Sequence, residues 1–488
     1  MSGLALKDSK LLRTQAFMNS EWVHADSGVT TPVINPATGE IIGTIPQMGV
    51  NEARRAIHAA NAAFSTWRTV LAKERGRLLR KWFDLIIENQ DDLAQVLTAE
   101  QGKPLAEARS EVVGGAAFIE WFAEEARRAY GETIPTPAVD RRIVVIKQPI
   151  GVCAAITPWN FPNTIITRKV GAALAAGCTM VVRPASNTPY SALALAELAL
   201  RAGIPPGVFN VITGAPEEIG QELTTNPIVR KLSFTGSTGV GRKLMAQCSM
   251  TIKKLALELG GNAPFIVFED ADIDAAVDGA LASKFRNAGQ ACVGTNRFYI
   301  HDHVYDEFAA KLVEKVKQLR VGPGTEKWVT MGPLIDARAV EKVESHLADA
   351  IAKGGRVLIG GRRHALGGSF FEPTVLADAR ADMKLAQEET FGPLAPLFRF
   401  SNEAELLNDA NNTELGLASY FYSKDNARIW RVAEALETGM VGVNVGLMAN
   451  ESVPFGGIKE SGIGREGSHY GLEDYLEVKY VCLGGMSA

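Results

Sequence analysis

The sequence predicts an α/β protein whose central domain is a parallel sheet with helices on both faces. From about residue 142, short apolar runs alternate with segments of helical periodicity. This alternation is typical of parallel strands joined by crossover helices. Earlier in the chain, residues 53–67 and 78–86 each place their apolar side chains on one helical face, which indicates helices packed against a core. The predicted strands are 151–158, 179–185, 208–213 and 231–236, and the predicted helices between them are 164–177, 191–203 and 217–225.

The composition restricts the class of protein. Of the 488 residues, 46% are hydrophobic and 22% are charged, which is enough apolar material for roughly three structural units. The chain has 51 basic and 55 acidic residues and a formal charge of −4, so we predict no binding to nucleic acid or to a membrane. The longest mostly apolar stretch, 170–182, is shorter than the about 20 residues of a membrane-spanning helix.

Cysteine usage indicates a reducing compartment. The five cysteines are an odd number and form no CxxC pair, so we predict neither a disulfide framework nor a bound metal. The N-terminal segment MSGLALKDSK lacks the apolar run of a secretory signal. We therefore expect a cytoplasmic protein. The cysteines are Cys153, Cys178, Cys248, Cys292 and Cys482.

Three loops follow predicted strands and are the first candidates for a ligand site. They are 157–160, 183–186 and 236–239. Ligands of parallel α/β sheets bind at the carboxyl ends of the strands, where these loops lie. The loop at 236–241 reads G-x-x-G-x-G, which is not the usual G-x-G-x-x-G dinucleotide fingerprint.

A second strand-rich region predicts another α/β domain. It begins at 264–268, continues through 297–301 and extends to about residue 439. The segments 141–149 and 475–483 are apolar runs interrupted by charges. This pattern is typical of exposed strands, and we predict that both belong to an oligomerisation arm.

Two residues are candidates for chemistry. Cys292 has small neighbours that would let a substrate approach, but a nucleophilic thiol also needs electropositive surroundings. Glu258 lies between Leu257 and Leu259. An apolar environment raises the pKa of a carboxyl group toward the range of a general base. Taken singly, Cys292 is equally compatible with an inert buried thiol, and Glu258 with a structural ion pair.

The ordered set of motifs is more specific. The chain resembles the aldehyde dehydrogenase superfamily over nearly its full length, and within it the bacterial succinate-semialdehyde dehydrogenases. The motifs that carry the resemblance are PWNFP (158–162), FTGST (234–238), LELGG (257–261), GQAC (289–292), EETFGP (388–393) and PFGG (454–457).

The resemblance implies an aldehyde dehydrogenase-like fold with three parts. These are a Rossmann-type cofactor domain, an α/β catalytic domain and a β-strand arm. The implied limits are 1–127 and 150–260 for the NAD(P)-binding domain, 261–440 for the catalytic domain, 128–149 and 470–488 for the arm, and 441–469 for a segment that returns to the cofactor domain and the substrate pocket.

The resemblance also implies roles for single residues. Cys292 matches the nucleophile that forms a thiohemiacetal and then a thioester, and the Asn160 amide matches the oxyanion donor. Glu258 matches the base that activates water for hydrolysis of the thioester. The implied cofactor contacts are Trp159, Asn160, Arg183, Pro184, Ala185, Ser186, Gly236, Ser237, Leu259, Glu389 and Phe391.

Two positions predict NADP as the preferred cofactor, with NAD as the alternative. Position 183 is arginine, whose planar guanidinium suits a 2′-phosphate. Position 186 is serine, where NAD-preferring relatives often carry a glutamate that would repel that phosphate.

The predicted substrate is a semialdehyde with a distal carboxylate. Arg168 and Arg286 match the two arginines that bind this group in succinate-semialdehyde dehydrogenases. The serine that assists them in such relatives is Ala449 here, and Ser452 is the nearby hydroxyl predicted to replace it. Succinate semialdehyde and the longer glutarate semialdehyde both remain open.

Two further alternatives concern the mechanism, and one prediction concerns the assembly. A CoA-acylating enzyme is disfavoured by Glu258, because a base that activates water would hydrolyse the thioester. A non-catalytic protein of the same fold is disfavoured because Cys292, Glu258, Asn160 and Glu389 are all present. Relatives assemble through their strand arms, and we predict a homo-oligomer, a tetramer or a dimer.

Overall fold

The computed structural model describes residues 4–486. No helix within that range is long and apolar enough to span a membrane. The strands are β1 (Ala16–Met18), β2 (Glu21–Val23), β3 (Thr30–Ile34), β4 (Ile41–Pro46), β5 (Glu132–Ile134), β6 (Arg142–Pro149), β7 (Val152–Ile156), β8 (Thr179–Arg183), β9 (Phe209–Val211), β10 (Val229–Thr235), β11 (Lys254–Glu258), β12 (Ala263–Val267), β13 (Thr295–His301), β14 (Arg356–Ile359), β15 (Thr374–Ala377), β16 (Leu394–Phe400), β17 (Leu415–Gly416), β18 (Ala418–Tyr422), β19 (Met440–Val443), β20 (Ile458–Lys459), β21 (Gly462–Ile463) and β22 (Leu476–Leu483).

Helices alternate with strands through most of the chain. They are α1 (Val50–Trp67), α2 (Ala72–Glu88), α3 (Gln90–Gln101), α4 (Leu105–Glu125), α5 (Thr164–Ala176), α6 (Tyr190–Ala202), α7 (Pro216–Thr225), α8 (Thr238–Cys248), α9 (Ile273–Phe285), α10 (Tyr305–Val316), α11 (Ala337–Ala352), α12 (Lys384–Gln387), α13 (Glu403–Asn411), α14 (Asn426–Ala435) and α15 (Ser468–Glu473).

The first sheet has the strand order β2-β1-β9-β8-β7-β10-β11-β21. Its inner strands, from β9 to β11, are parallel, which confirms the α/β class. The central strands β7 and β8 are buried almost throughout, as expected when helices cover both faces of a parallel sheet. The edge strands β1, β2 and β21 are antiparallel to their neighbours and were not predicted.

The second sheet has the order β14-β15-β16-β13-β12-β18-β19 and is parallel except at β14. Aromatic side chains fill its centre, where the ring of Phe265 lies 5.2 Å from those of Phe298 and Tyr422. β19 begins at Met440 and continues to Val443. The predicted domain limit at residue 440 therefore falls on the first residue of this edge strand. The other limits remain predictions.

A third sheet joins distant parts of the chain. β22 pairs antiparallel to β6 from Leu476↔Pro149 to Leu483↔Arg142, and β5 pairs with the other edge of β6. The two segments predicted as arm strands thus pair with each other. Val478 and Tyr480 on β22 are each 70% exposed.

Candidate active site

The candidate site begins at the carboxyl edge of the first sheet. The order β8-β7-β10-β11 places the ends of four parallel strands side by side. Main-chain hydrogen bonds connect the segments beyond them: Thr157 N–H donates to Arg183 O (3.1 Å), and Gly236 N–H donates to Glu258 O (3.0 Å). The three predicted loops and the LELGG motif therefore share one edge.

A cavity of about 360 Å³ opens at this edge, between the first sheet and the second. Residues from five of the six motifs, all but PFGG, line it together with one helix of the catalytic region, α11. The predicted site residues in its wall are Trp159, Asn160, Gly236, Ser237, Glu258, Leu259, Cys292, Glu389 and Phe391.

Cys292 lies on a loop between α9 and β13. The loop turns through left-handed backbone at Asn287 (φ 52°) and Ala288 (φ 55°), a conformation that is uncommon for residues other than glycine. The Tyr420 hydroxyl donates to Val293 O at 2.9 Å and so fixes the residue after the cysteine. Gly261 permits the close approach of the two sheets here, because a Cβ at that position would collide with the carbonyl of Cys292.

The surroundings of the Cys292 thiol differ from the electropositive environment that a reactive cysteine was expected to need. Burial, together with the charges of Glu389 and Glu258, raises the pKa of Cys292 to about 12, while Arg168 acts in the opposite direction. The described residues therefore favour the neutral thiol. Proton removal has to be supplied at the moment of reaction or by a charge brought in with a bound molecule.

Glu258 ends β11 and is 3% exposed. Burial raises the pKa of its carboxyl well above the usual range, and the charge of Glu466 adds to this effect. Among residues 4–486, Oε2 of Glu258 has no hydrogen-bond partner, so this oxygen is free to accept from a bound water or substrate. Gly456 of the PFGG motif packs against the carboxyl, since a Cβ there would lie 3.0 Å from Oε1.

Glu466 belongs to a buried charge cluster that sequence reasoning did not identify. Its carboxylate pairs with Lys169 Nζ and lies 3.5 Å from Arg168 Nη1. Lys169 Nζ also donates to Ser233 Oγ at 2.9 Å. Lys169 lies within the mostly apolar helix α5, and Glu466 is far from it in sequence. No local sequence pattern therefore predicts that the two side chains meet.

Asn160 follows β7 and is 4% exposed. Its Nδ2 donates to Gln290 O at 3.2 Å, which fixes the amide beside the loop that carries Cys292. An amide nitrogen has two N–H donors, so one remains for a ligand oxygen. A free N–H beside the cysteine loop is what the predicted role of oxyanion donor needs.

Glu389 and Phe391 form the wall opposite the first sheet. Glu389 Oε1 accepts from Gly261 N–H at 3.2 Å, and burial raises the pKa of its carboxyl to about 7. Phe391 has left-handed backbone (φ 56°), and its ring lies edge-on to Trp159 at 5.6 Å. Beside Glu389, burial lowers the pKa of Lys284 to about 7, and its Nζ donates to Thr295 O at 3.0 Å.

The start of α8 has the features of an anion site. Gly236 and Ser237 precede this 11-residue helix, with Ser237 in extended backbone at the N-cap. Free N–H groups and the helix dipole favour phosphate at such a terminus. Thr235 Oγ1 is buried without a hydrogen-bond partner in residues 4–486. A dinucleotide pyrophosphate fits both observations.

Arg183, at the end of β8, occupies the neighbouring position along the sheet edge. Burial lowers the pKa of its guanidinium to about 10. Its Nη2 donates to Ser186 Oγ (2.9 Å) and Gly214 O (3.0 Å), and Nε has no partner in the described chain. Arg183, Pro184, Ala185 and Ser186 lie outside the wall of the cavity that contains Cys292.

The predicted substrate residues are only partly brought together. Arg168 is 8% exposed, lies between the rings of Phe118 and Phe455, and contributes a positive charge at Cys292. Arg286 lies over the Phe161 ring at 5.1 Å. Ser452 is exposed and its hydroxyl donates to Asn450 Oδ1 at 2.7 Å. The replacement of the missing serine by Ser452 stays a prediction, and in this structure its hydroxyl bonds within its own loop.

Sequence reasoning missed the contribution of α11. Ile335 and Asp336 before the helix, and Arg338, Ala339 and Lys342 on its first turns, line the same cavity. Arg338 and Lys342 are exposed. No motif marks this helix, since its role depends on the packing of one sheet against the other.

Comparison with known proteins decides the family. The model of the aldehyde dehydrogenase family matches residues 22–481. The chain belongs to the aldehyde dehydrogenase family. It is therefore an oxidoreductase, as the six motifs predicted, and the alternative of a non-catalytic protein of this fold has no support.

Relatives of this aldehyde dehydrogenase are similar over their full length. The glutarate-semialdehyde dehydrogenase of Pseudomonas aeruginosa is 65% identical, covering 99% of this chain and 100% of that protein. The NADP(+) succinate-semialdehyde dehydrogenase of Escherichia coli is 62% identical, covering 99% and 100%. The crystal structure of a succinate-semialdehyde dehydrogenase from Burkholderia pseudomallei is 64% identical with a TM-score of 0.98, covering 98% of this chain and 100% of that one.

Proposed function

We propose that this aldehyde dehydrogenase oxidises a carboxylated semialdehyde, succinate semialdehyde in the first place, to the corresponding acid. The observation that carries the proposal is that Cys292, Asn160 and Glu258 line a single cavity. This set comprises a thiol, an oxyanion donor and a general base. Arg168 supplies positive charge at the same cysteine, and a cation there favours an anionic substrate.

In the proposed first step, the Cys292 thiol gives its proton to solvent and its sulfur attacks the aldehyde carbon to form a thiohemiacetal. The Asn160 amide donates to the oxygen that becomes negative. A donor of this kind stabilises a transition state by about 3 kcal/mol in other enzymes. The aldehyde hydrogen then leaves with its electron pair, and the carbon becomes a thioester on Cys292.

In the second step, Glu258 takes a proton from water, and the resulting hydroxide attacks the thioester. The C–S bond breaks, the acid is released, and the proton held by Glu258 passes to the Cys292 sulfur, which restores both groups. The raised pKa of Glu258 makes it a sufficiently strong base near neutral pH. Hydrolysis by this base also argues against transfer of the acyl group to coenzyme A.

We propose NADP as the preferred cofactor and NAD as the alternative. When bound, the oxidised nicotinamide accepts the hydride and its positive ring favours the Cys292 thiolate. Gly236 and Ser237 would hold the pyrophosphate, and Glu389 would hold the nicotinamide ribose. Trp159 and Phe391 would flank the bound cofactor. Arg183, with Ser186 beside it, would face the 2′-phosphate. The E. coli relative is named for NADP(+).

Glutarate semialdehyde is the second candidate substrate. Ala449 replaces a serine expected to contact the distal carboxylate, and the Ser452 hydroxyl donates to Asn450 Oδ1 in this structure. A pocket with one hydroxyl fewer has more room for a longer chain. The P. aeruginosa relative carries the glutarate-semialdehyde name. Steady-state oxidation of succinate, glutarate and neutral aldehydes with NADP and with NAD tests the proposal; equal kcat/KM for acidic and neutral aldehydes would contradict it.

We further propose that the enzyme acts in the cytoplasm as a homo-oligomer, a tetramer or a dimer. The five cysteines are free thiols in the structure, which suits a reducing compartment. The exposed Val478 and Tyr480 on β22 provide apolar surface on the arm sheet. Light scattering coupled to size-exclusion chromatography measures the subunit number, and a monomer at micromolar concentration would contradict the proposal.

A further inference from the structure

Three separate parts of the chain meet at one main-chain oxygen, the carbonyl of Asn160. Lys103 Nζ donates to it at 2.8 Å, and Asn287 Nδ2 donates at 3.0 Å. Lys103 lies between α3 and α4, Asn160 follows β7, and Asn287 follows α9. A carbonyl accepts two hydrogen bonds through its two lone pairs, so its capacity is filled by these two side chains.

Lys103 is an unusual residue for this position. It is 1% exposed and pairs with Glu111, whose side chain is also buried. Glu111 Oε1 accepts from the N–H groups of Asn163 (2.9 Å) and Thr164 (3.3 Å). A buried ion pair contributes little net stability compared with apolar residues of similar size. The pair therefore fixes both ends of the segment 160–164 rather than only filling space.

Asn287 links the same carbonyl to the cysteine loop. Its Nδ2 also donates to Gln290 O at 3.2 Å, the same oxygen that accepts from Asn160 Nδ2. Its Oδ1 accepts from Gln101 Nε2 at 2.9 Å. The left-handed backbone of Asn287 (φ 52°) is thus held by contacts on both sides. Gln290 O lies two residues before Cys292.

We propose that Lys103 and Asn287 are positioning residues that hold the Asn160 amide at its working distance from the Cys292 sulfur. The inference rests on the proposed function, because Asn160 acts as an oxyanion donor only if Cys292 attacks a carbonyl. Lys103 fixes the position of the loop after β7, and Asn287 links this loop by hydrogen bonds to the loop that carries Cys292. A displacement of about 1 Å in such a constellation costs on the order of 100-fold in rate.

A double-mutant cycle between Lys103→Met and Asn160→Ala tests the proposal. In the otherwise native enzyme, Lys103→Met should lower kcat about 10- to 100-fold, with the KM for NADP changed less than about threefold. In the Asn160→Ala background, the same substitution should lower kcat less than about threefold, because the group that it positions is absent. Equal losses in the two backgrounds would overturn the proposal.

Lys231→Met is the matched control. Lys231 is also fully buried and is paired with an acid, Asp474, which lies two residues before β22. Its substitution should change kcat by the same factor in both backgrounds; a loss abolished by Asn160→Ala would mean that the coupling is unspecific and would overturn the proposal.

Asn287→Gly is a second variant that tests the same proposal if the Lys103→Met variant does not fold. Glycine accepts a φ of 52°, so this variant removes the amide without backbone strain. Asn287→Gly should lower kcat in the otherwise native enzyme and change it less than about threefold in the Asn160→Ala background. Equal losses of kcat in the two backgrounds would overturn the proposal. Failure of the native enzyme to oxidise any semialdehyde would instead contradict the proposed function, so the two failures are distinguishable.

Discussion

The carboxylate of Glu466 raises the pKa of Glu258, adding to the effect of burial. Glu466 itself remains charged: burial opposes its ionisation, but the charges of Lys169 and Arg168 outweigh burial and lower its pKa. The general base of the proposed mechanism is therefore tuned by a carboxylate from the return segment of the chain.

Glu466→Gln should move the acidic limb of the pH profile for thioester hydrolysis to lower pH. Glu258 is a base only above its pKa, and loss of the neighbouring negative charge lowers that pKa. The measurement is the pH profile of kcat under conditions where hydrolysis limits turnover. Glu314→Gln, at an exposed position on α10, should leave the profile unchanged. A limb that stays in place would show that the charge of Glu466 does not reach Glu258 in solution.

Glu258→Gln should separate the two half-reactions. Hydride transfer requires no water, so one equivalent of NADPH per active site should form before turnover stops. Hydrolysis should slow by about 10²- to 10⁴-fold. Stopped-flow absorbance measures the burst, and mass spectrometry of the intact protein detects the acyl group on Cys292. Steady turnover at the native rate would remove Glu258 from the mechanism.

The Cys292 thiol of the free enzyme should react slowly with iodoacetamide at pH 7. Its pKa is raised to about 12 by burial, Glu389 and Glu258, so the thiolate fraction should increase about tenfold for each pH unit between about pH 7 and 9. Peptide mass spectrometry follows the alkylation of Cys292 at each pH. Fast, pH-independent labelling of Cys292 would contradict the raised pKa.

Arg286→Ala should raise KM for succinate semialdehyde at least about tenfold, with little effect on a neutral aldehyde such as propanal. Arg168→Ala should do the same and also shift the pH profile, because Arg168 pairs with Glu466 and lowers the pKa of Glu258. Loss of this cation should move the acidic limb to higher pH. Equal KM changes for both aldehydes would exclude binding of the distal carboxylate by these arginines.

Ser186→Glu should reverse the cofactor preference. Ser186 Oγ accepts from Arg183 Nη2, and a glutamate there would neutralise Arg183 and repel the 2′-phosphate. We expect kcat/KM for NADP to fall at least about tenfold while that for NAD changes little. Ser186→Ala is the matched control, since it removes the hydroxyl without adding charge. A strong NAD preference in the native enzyme would contradict the electrostatic argument.

The local hydrophobic pattern was sufficient to predict the strands and helices that bury a whole face. The inner strands β7 to β10 and the helices between them were predicted because each apolar run is long enough to show its period. Six ordered motifs likewise fixed Cys292, Glu258, Asn160 and Glu389 as candidates. The sequence by itself thus determined the fold class and the family, and it supplied the candidate reactive groups.

Only the tertiary structure decided how those groups are tuned and placed. The contact of Lys169 with Glu466, the lining by α11, and the meeting of Lys103 and Asn287 at Asn160 O join segments far apart in the chain. The exposure of Ser452 was also undetermined by sequence. Burial and the distances between charges set pKa values, and both arise when one sheet packs on another, which no periodicity within a single segment encodes.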